Sequence, residues 1–354
     1  MSSALLVLVR SDDVRRSVIP AVLSILMLAL LPGVAGAADY QGGAFQFAGG
    51  FSPSNAPNGG FGGGSCTASR TPVIFFHGNG DEAKNWDYPA STGVDSLTDA
   101  LRADGYNDCE LFGLTWLSSS ERGAPNLNYH RPSKADLLAD FIWDVKAYTG
   151  ASQVDIVGHS LGVTMALYAI DDDNLWSSIR RFIGIAGGLR GLTACYWTGN
   201  ANPLYTTCGS QNYFNSGIFG LYPHSWSTWN PRMGNGGFRD DPAGKSTLFY
   251  TIRADIHDEI LCGTTSSVSG CENSALFDSR SNVKSQLDVG YGTPAAGLDF
   301  DLADWTFFNL LGGDSNGVGH LRARNNTGQI VRNMLRTSCT NTGCCSGYGD
   351  VCGN

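Results

Sequence analysis

The pentapeptide Gly158-His159-Ser160-Leu161-Gly162 is the feature that most constrains the fold of this chain. A β-like run, 153–157, precedes it, and a helix-like apolar run, 163–170, follows it. Glycines on both sides allow the close backbone approach that a sharp turn from a strand into a helix requires. The sequence therefore predicts that Ser160 lies on a tight strand–turn–helix junction.

A second match to this pattern, Gly313-Asp314-Ser315-Asn316-Gly317, lacks that context. Glycine makes up 46 of the 354 residues, so chance matches are expected. No strand-like run precedes Ser315 and no apolar helix follows it, which is typical of a loop. We therefore take Ser160, and not Ser315, as the candidate nucleophile of a nucleophile elbow, the strained turn that presents a serine hydroxyl for attack.

Strand-like and helix-like runs alternate along the chain, which predicts an α/β fold. The strand-like runs are 73–76, 110–116, 153–157, 181–186 and 246–253, and the helix-like runs lie near 97–101, 137–148, 163–170 and 327–335. Repeated units of this kind form a mostly parallel sheet with helices on both faces, and such sheets place their sites at the carboxyl ends of the strands. An elbow in this setting, with an acid and a histidine downstream, is the order found in the α/β-hydrolase fold.

The N-terminus is typical of a secretory signal peptide, predicted to be residues 1–37. Three arginines precede an apolar run, 18–31, and the small residues Ala35-Gly36-Ala37 follow it. The run is too short to span a bilayer comfortably, and no later segment reaches the required length. We therefore expect a secreted, extracellular protein without a transmembrane segment.

The rest of the chain is expected to be a glycine-rich irregular segment with little core of its own, 38–65, followed by a single catalytic domain, 66–354. Two long stretches interrupt the alternation in this domain, at about 187–244 and 259–316. The first is dense in aromatic residues, which predicts a cap insertion over the sheet. We expect a monomer, and the net charge of −9 makes nucleic acid an unsuitable partner.

All ten cysteines lie beyond residue 37, an even number that favours disulfides in an oxidising compartment. Pairs Cys195–Cys208 and Cys262–Cys271 would close short loops, and Cys66–Cys109 is also expected. The four C-terminal cysteines cannot be paired from the sequence. Zinc is the alternative, but no finger-like Cys/His spacing supports it, so we expect no metal.

A serine nucleophile needs a histidine base, an acid that fixes the imidazole, and N–H donors for the oxyanion. Of six histidines, His320 lies in a loop just before the last predicted helix, where this fold order places the base. The loop after the run 246–253 is the expected place of the acid. It holds Asp255, Asp258 and Glu259, of which Asp258 is our choice and Asp255 the chief competitor.

The oxyanion hole in this arrangement uses the N–H of the residue after the nucleophile and one from the first strand-to-helix loop. Those residues are Leu161 and, in His77-Gly78-Asn79-Gly80, Asn79. The alternative for this loop is a tight turn that needs glycine for backbone reasons only. The loop also has to leave the strand end open above the serine, which favours the oxyanion hole.

The chain resembles extracellular polyhydroxyalkanoate depolymerases of the lipase-like type that attack amorphous poly(3-hydroxybutyrate). The resemblance spans about residues 59–339 and is carried by Phe75-Phe76-His77-Gly78-Asn79-Gly80-Asp81, Leu117-Ser118-Ser119-Ser120-Glu121, Gly158-His159-Ser160-Leu161-Gly162, Cys208-Gly209-Ser210-Gln211-Asn212-Tyr213 and Asn316-Gly317-Val318-Gly319-His320. It implies a triad of Ser160, Asp258 and His320, no cofactor, and endo-type cleavage of polyester. Leu161 stands where the family has methionine, but only its backbone N–H is needed.

A polymer cannot diffuse into a deep pocket, so an enzyme acting on it must adhere to a hydrophobic polyester surface. Exposed aromatic rings would serve, and we expect Tyr129, Tyr213, Phe214 and Trp229 to contact substrate. The alternative is that these rings form the core of the cap. Two other functions stay open: a secreted triacylglycerol lipase or carboxylesterase with the same triad, and a catalytically silent surface-binding protein.

Overall fold

The computed structural model describes residues 46–87, 96–198, 202–208, 244–254, 258–262, 270–289, 319–325 and 327–336. The predicted signal peptide and the four C-terminal cysteines lie outside the described residues. Most of the expected aromatic cap also lies outside them, although its residues 187–198 and 202–208 are described.

In the described ranges, seven strands form one sheet in the order β1-β3-β2-β4-β5-β6-β7. The strands are β1 (Gly60–Phe61), β2 (Val73–Phe76), β3 (Leu111–Leu114), β4 (Val154–His159), β5 (Ile179–Ile185), β6 (Leu248–Arg253) and β7 (Val283–Asp288). β1 runs antiparallel to β3 at one edge, and every other neighbouring pair is parallel. The predicted mostly parallel sheet is therefore confirmed.

Helices cover both faces of the sheet. They are α1 (Leu97–Ala103), α2 (Ser119–Arg122), α3 (Pro132–Thr149), α4 (Leu161–Asp172), α5 (Thr193–Thr198), α6 (His320–Asn325) and α7 (Gly328–Leu335) in the described ranges. Successive side chains of β2 point to opposite faces. Ile74 and Phe76 join the core beneath α3 and α4, while Val73 and Phe75 join a second core beneath α1 and α7. Burial on both faces explains why this strand is apolar throughout.

Two parts of the chain differ from the sequence expectations. The segment 38–65 was expected to add little core, yet Phe51 is buried with its ring centroid 4.9 Å from that of Phe112. An aromatic ring buries enough apolar area to anchor an otherwise irregular segment. Within the expected insertion at about 259–316, β7 pairs with β6 and extends the sheet. This part of the stretch is a strand of the central sheet.

The three expected disulfides that fall in the described ranges are confirmed: Cys66–Cys109, Cys195–Cys208 and Cys262–Cys271. The first ties the segment before β2 to Cys109, two positions before β3, and the other two close loops after β5 and β6. None of the helices in the described ranges is both long and apolar enough to cross a membrane.

The approach of α4 to β2 gives a test of the fold. A Cβ added at Gly162 would collide with the carbonyl oxygens of Phe76 and His77, which belong to backbone that cannot swing away. We expect Gly162→Ala to lower the free energy of unfolding by about 3 kcal/mol or more, as overpacking does at rigid sites. Urea unfolding followed by circular dichroism measures it.

Gly123→Ala is the matched control, because its Cβ would meet nothing closer than 3.5 Å and its φ of −74° suits alanine. We expect a change within about 0.5 kcal/mol. Equal effects of the two substitutions would contradict the close packing of α4 on β2.

Candidate active site

Ser160 occupies a backbone conformation that few residues other than glycine adopt, with φ of 55° and ψ of −127°. It lies between the end of β4 at His159 and the start of α4 at Leu161. Its N–H donates to the Ile185 carbonyl oxygen at 2.9 Å, which ties the turn to the neighbouring strand β5. The predicted strand–turn–helix junction is therefore present, and its strain is of the kind found at functional sites.

The candidate acid and base lie in direct contact. His320 Nδ1 is 2.9 Å from both carboxylate oxygens of Asp258, and both residues are buried. A carboxylate can only accept, so the imidazole carries its proton on Nδ1 and leaves Nε2 free to take one. His320 is the first residue of α6, whereas the sequence placed it in a loop.

Backbone groups hold the Asp258 carboxylate in turn. Its Oδ1 accepts the N–H groups of Ile260 at 3.1 Å and Leu261 at 2.8 Å. The Cys262 N–H donates to the Asp258 carbonyl oxygen, and Cys262 is tied to Cys271 by a disulfide. The turn that carries the acid is therefore fixed by hydrogen bonds and by a covalent bond. Asp255, the competing acid, lies outside the described residues.

His159 connects the elbow to the candidate base. Its Nε2 lies 3.0 Å from the His320 carbonyl oxygen, and the centroids of the two rings are 4.7 Å apart. In the described part of the chain, no hydrogen bond joins the Ser160 hydroxyl to the His320 ring. Such bonds are often long in enzymes without substrate and tighten when the substrate binds.

The loop after β2 brings the second predicted oxyanion donor to the elbow. A Cβ added at Gly78 would lie 3.0 Å from Ser160 Cβ and 2.9 Å from His159 Nδ1, so this position has room only for glycine. The next residue is Asn79, whose backbone N–H has no acceptor within the described ranges. Leu161 is the first residue of α4, so its N–H has no acceptor inside the helix.

The Asn79 side chain fixes this loop and leaves the backbone N–H available. Its Nδ2 donates to the Pro125 carbonyl oxygen at 2.8 Å, and its Oδ1 accepts from Asn128 Nδ2 at 2.7 Å. Both side-chain groups are thus used by the segment 125–128. The candidate oxyanion donor in this loop is therefore held in place before any substrate binds.

His77 braces the same loop as a neutral residue. Its Nδ1 lies 2.8 Å from the Gly78 carbonyl oxygen, and its Nε2 accepts the Trp116 N–H at 3.1 Å. The indole N–H of Trp116 returns a bond to the His77 carbonyl oxygen at 3.0 Å, with the two rings stacked. Burial lowers the pKa of His77 to about 3, because a charged imidazole would lose its hydration there.

A buried ion pair joins this loop to the helix that begins at the candidate base. The carboxylate of Asp81 accepts from Arg324 of α6 and from Asn85. The Asp81 N–H donates to the Gly78 carbonyl oxygen, which closes the loop on itself. The candidate oxyanion loop and the candidate base are therefore held at a fixed separation.

Of the residues predicted to contact substrate, Tyr129 lies in the described part of the chain. It is half-buried, with the Arg131 guanidinium carbon 4.6 Å from its ring centroid. Tyr213, Phe214 and Trp229 lie outside the described residues.

Two leucines that the sequence did not single out are exposed beside the candidate oxyanion loop. Leu127 is 40% exposed and Leu204 is 68% exposed. Hydrogen bonds from Asn126 to the Leu204 carbonyl oxygen and from Thr206 to the Leu127 carbonyl oxygen join their segments at 2.7 and 2.6 Å. Single loop leucines have no periodicity, so no sequence signal could have found them.

Three residues with metal-ligating side chains lie within reach of a shared ion at one place in the described ranges, namely Cys262, Cys271 and Glu272. Both sulfurs are committed to a disulfide, so neither is a thiolate that could bind zinc. The Asp258–His320 pair itself needs no metal or cofactor to act as an acid–base unit.

Residues 70–252, a little more than half of the chain, match the family described as Lipase (class 2). The chain belongs to the class 2 lipase family. It therefore has the α/β-hydrolase fold and is an ester-hydrolysing enzyme of the lipase type. The residues that match the family include the elbow and the loop 77–81, and they end before Asp258 and His320.

Two solved lipase structures resemble this class 2 lipase at low identity. Aspergillus fumigatus lipase B is 17% identical over 86% of this chain and 67% of its own, with a TM-score of 0.47. The mature form of Bacillus licheniformis lipase BlEst2 is 15% identical over 73% of this chain and 82% of its own, with a TM-score of 0.35. At these TM-scores, neither likeness says anything about the substrate of this chain. No curated protein sequence matches it.

The neutral state of His77 makes stability depend on pH. Its pKa is about 3 in the folded protein and about 6.5 when unfolded, so between these values the unfolded chain binds more protons. The contribution of His77 to stability is therefore fully present above about pH 6.5 when compared with lower pH, and it is lost as the pH falls toward 3. From pH 7 to pH 5 this single group should cost about 2 kcal/mol.

We expect His77→Gln to lack this contribution, so its deficit relative to the wild type should shrink by about 2 kcal/mol between pH 7 and pH 5. Urea titrations of both proteins across this range measure it, and the comparison cancels the carboxyl groups that also titrate. Parallel stability curves for the two proteins would contradict a neutral, buried His77.

Proposed function

We propose that this member of the class 2 lipase family is a secreted serine hydrolase that acts through an acyl-enzyme. Its proposed substrate is short-chain polyhydroxyalkanoate, such as amorphous poly(3-hydroxybutyrate). The observation that carries the hydrolase chemistry is the pairing of a strained Ser160 turn with a buried Asp258–His320 contact at the carboxyl ends of β4 and β6. A nucleophile, a base and an orienting acid are the parts that acyl transfer requires.

In the proposed first half-reaction, His320 Nε2 takes the proton of Ser160 Oγ as the oxygen attacks the ester carbonyl carbon. The N–H groups of Leu161 and Asn79 stabilise the oxyanion that forms, and Asp258 stabilises the imidazolium. Collapse of the tetrahedral intermediate breaks the ester C–O bond. The imidazolium gives its proton to the alkoxide, and the alcohol end of the chain leaves.

In the second half-reaction, His320 Nε2 takes a proton from water as the water oxygen attacks the acyl-enzyme carbonyl. The same two N–H groups hold the second oxyanion. Its collapse breaks the bond to Ser160 Oγ, which regains a proton from the imidazolium. The product is a carboxylic acid, here the 3-hydroxyacyl end of the polymer, and one water is consumed for each ester bond cleaved.

The polymer part of the proposal rests on the depolymerase-like motifs and on apolar side chains near the site. Leu127 and Leu204 lie on segments joined to Asn79 through Pro125, so they flank the candidate oxyanion loop. Tyr129 follows Leu127 closely along the chain, and Tyr213, Phe214 and Trp229 are further proposed contacts. The three disulfides support an oxidising, extracellular location, in line with the proposed signal peptide.

A triacylglycerol lipase or carboxylesterase with the same triad is the second candidate, and the family match itself favours it. Both candidates share every chemical step. They differ in the surface that presents the ester, which a substrate comparison separates.

We expect the protein, recovered from the culture medium, to clear an amorphous poly(3-hydroxybutyrate) suspension and to release soluble 3-hydroxyacids detected by mass spectrometry. Ser160→Ala should lower this rate by about 10⁴-fold or more, because the nucleophile is lost. Ser315→Ala is the matched control, since the sequence around Ser315 predicts a loop and not an elbow, and it should keep wild-type activity.

Clearing that persists in Ser160→Ala would contradict the proposed chemistry. Strong activity on long-chain triglyceride emulsion with none on the polyester would contradict the polymer substrate and favour the lipase. Retention of the whole protein inside the cells would contradict secretion.

A further inference from the structure

The main chain of His320 is held on both sides by buried side chains that the proposed triad does not include. On one side, Glu259 Oε2 accepts the His320 N–H at 2.9 Å. On the other side, His159 Nε2 lies 3.0 Å from the His320 carbonyl oxygen. All three residues are buried, with exposed fractions of 6% for Glu259, 1% for His159 and 3% for His320.

The direction of the His159 contact follows from its partner. A carbonyl oxygen can only accept, so His159 Nε2 carries the proton and donates it. Burial lowers the pKa of His159 well below its usual value, and the positive charge of nearby Arg324 lowers it further. The ring is therefore neutral with Nδ1 unprotonated, and it adds no positive charge beside His320.

The two residues that hold His320 are sequence neighbours of the candidate nucleophile and the candidate acid. His159 directly precedes the candidate nucleophile, and Glu259 directly follows the candidate acid. The main chain of His320 is thus held by the sequence neighbours of Ser160 and Asp258, the two residues with which its ring must align. α6 has only six residues and starts at His320, so the helix alone does little to fix its first residue.

We propose that His159 and Glu259 are positioning residues that hold the His320 main chain, and so keep its imidazole aligned with both Ser160 and Asp258. The inference rests on the proposed function, because it assigns His320 the role of the base. Neither residue transfers a proton. They act through the placement of His320, since small displacements of a reacting group can cost about 10²-fold in rate.

Paired variants test the two contacts separately. Glu259→Gln keeps an acceptor oxygen in place, whereas Glu259→Asp withdraws the carboxylate by one methylene and keeps its charge. His159→Gln can place an N–H donor where Nε2 lies, whereas His159→Asn is too short to reach. All four changes are conservative in volume or polarity, which limits the risk of misfolding.

Glu110→Asp is the matched control for Glu259→Asp. Glu110 is also a buried glutamate that accepts backbone N–H groups, from Ser69 at 2.6 Å and Arg70 at 2.8 Å, near the amino ends of the strands. The same chemical change there is remote from the candidate active site. We expect it to leave kcat at the wild-type value for folded protein.

The measurement is kcat and KM for a soluble ester, p-nitrophenyl butyrate, with thermal midpoints recorded for each variant. We expect Glu259→Asp and His159→Asn to lower kcat by about 10- to 100-fold with little change in KM, because alignment is lost and binding is not. Glu259→Gln and His159→Gln should stay within about threefold of the wild type.

These measurements distinguish failure of the proposed function from failure of the positioning role. Wild-type rates in Ser160→Ala would remove the proposed function and this inference with it. An inactive Ser160→Ala together with wild-type kcat in Glu259→Asp and His159→Asn would overturn the positioning role alone. A Glu259→Gln variant as slow as Glu259→Asp would also overturn it for Glu259, because the charge and not the bond to His320 would then matter.

Discussion

The backbone of Ser160 is the constraint on which the rest of the site depends. A φ of 55° at a residue with a Cβ is costly, and it persists only where the surroundings enforce it. Here β4 runs straight into α4, the Ser160 N–H is bonded to β5, and Gly162 packs against the carbonyl oxygens at the end of β2. These contacts fix the turn and leave the Leu161 N–H at the start of a helix without an internal acceptor.

Around this turn, buried polar groups join loops that are distant in sequence. Asp258 and Glu259 contact the side chain and the main chain of His320, and His159 contacts its carbonyl oxygen. Asp81 and Arg324 join the loop after β2 to α6. Because these groups are buried, each depends on its partner, and a network of this kind rigidifies the geometry it connects. In the proposed mechanism, that rigidity preorganises the oxyanion donors and the base.

The fold was largely predictable from the sequence because its strands and helices carry strong local signals. β2 is buried and apolar throughout, and β4 and residues 161–170 of α4 are buried and mostly apolar. β7 was missed because its sequence, Val-Lys-Ser-Gln-Leu-Asp, belongs to an edge strand with few buried positions. Phe51 was missed because an irregular segment has no periodicity, although a ring of that size needs burial.

The residues of the candidate site were predictable from the sequence, but most hydrogen bonds between them were not. The elbow pattern and the short supply of histidines led to Ser160 and His320, and the structure brings His320 into contact with Asp258. The bond from His159 to the residue 161 positions away depends on tertiary packing, which no local pattern encodes. The adjacent residues Asp258 and Glu259 indicated a second carboxylate near the site. They did not indicate that Glu259 contacts the His320 main chain. The catalytic roles and the substrate stay predictions.

In the proposed mechanism, Ser160 is the nucleophile and the Leu161 and Asn79 amides receive the oxyanion. A crystal structure of the protein after reaction with a fluorophosphonate ester tests it most directly, because the adduct imitates the tetrahedral intermediate. We expect one phosphorus bonded to Ser160 Oγ, with its free oxygen about 2.7–3.1 Å from both amide nitrogens. Modification of a different residue, or a phosphoryl oxygen that points away from both amides, would contradict it.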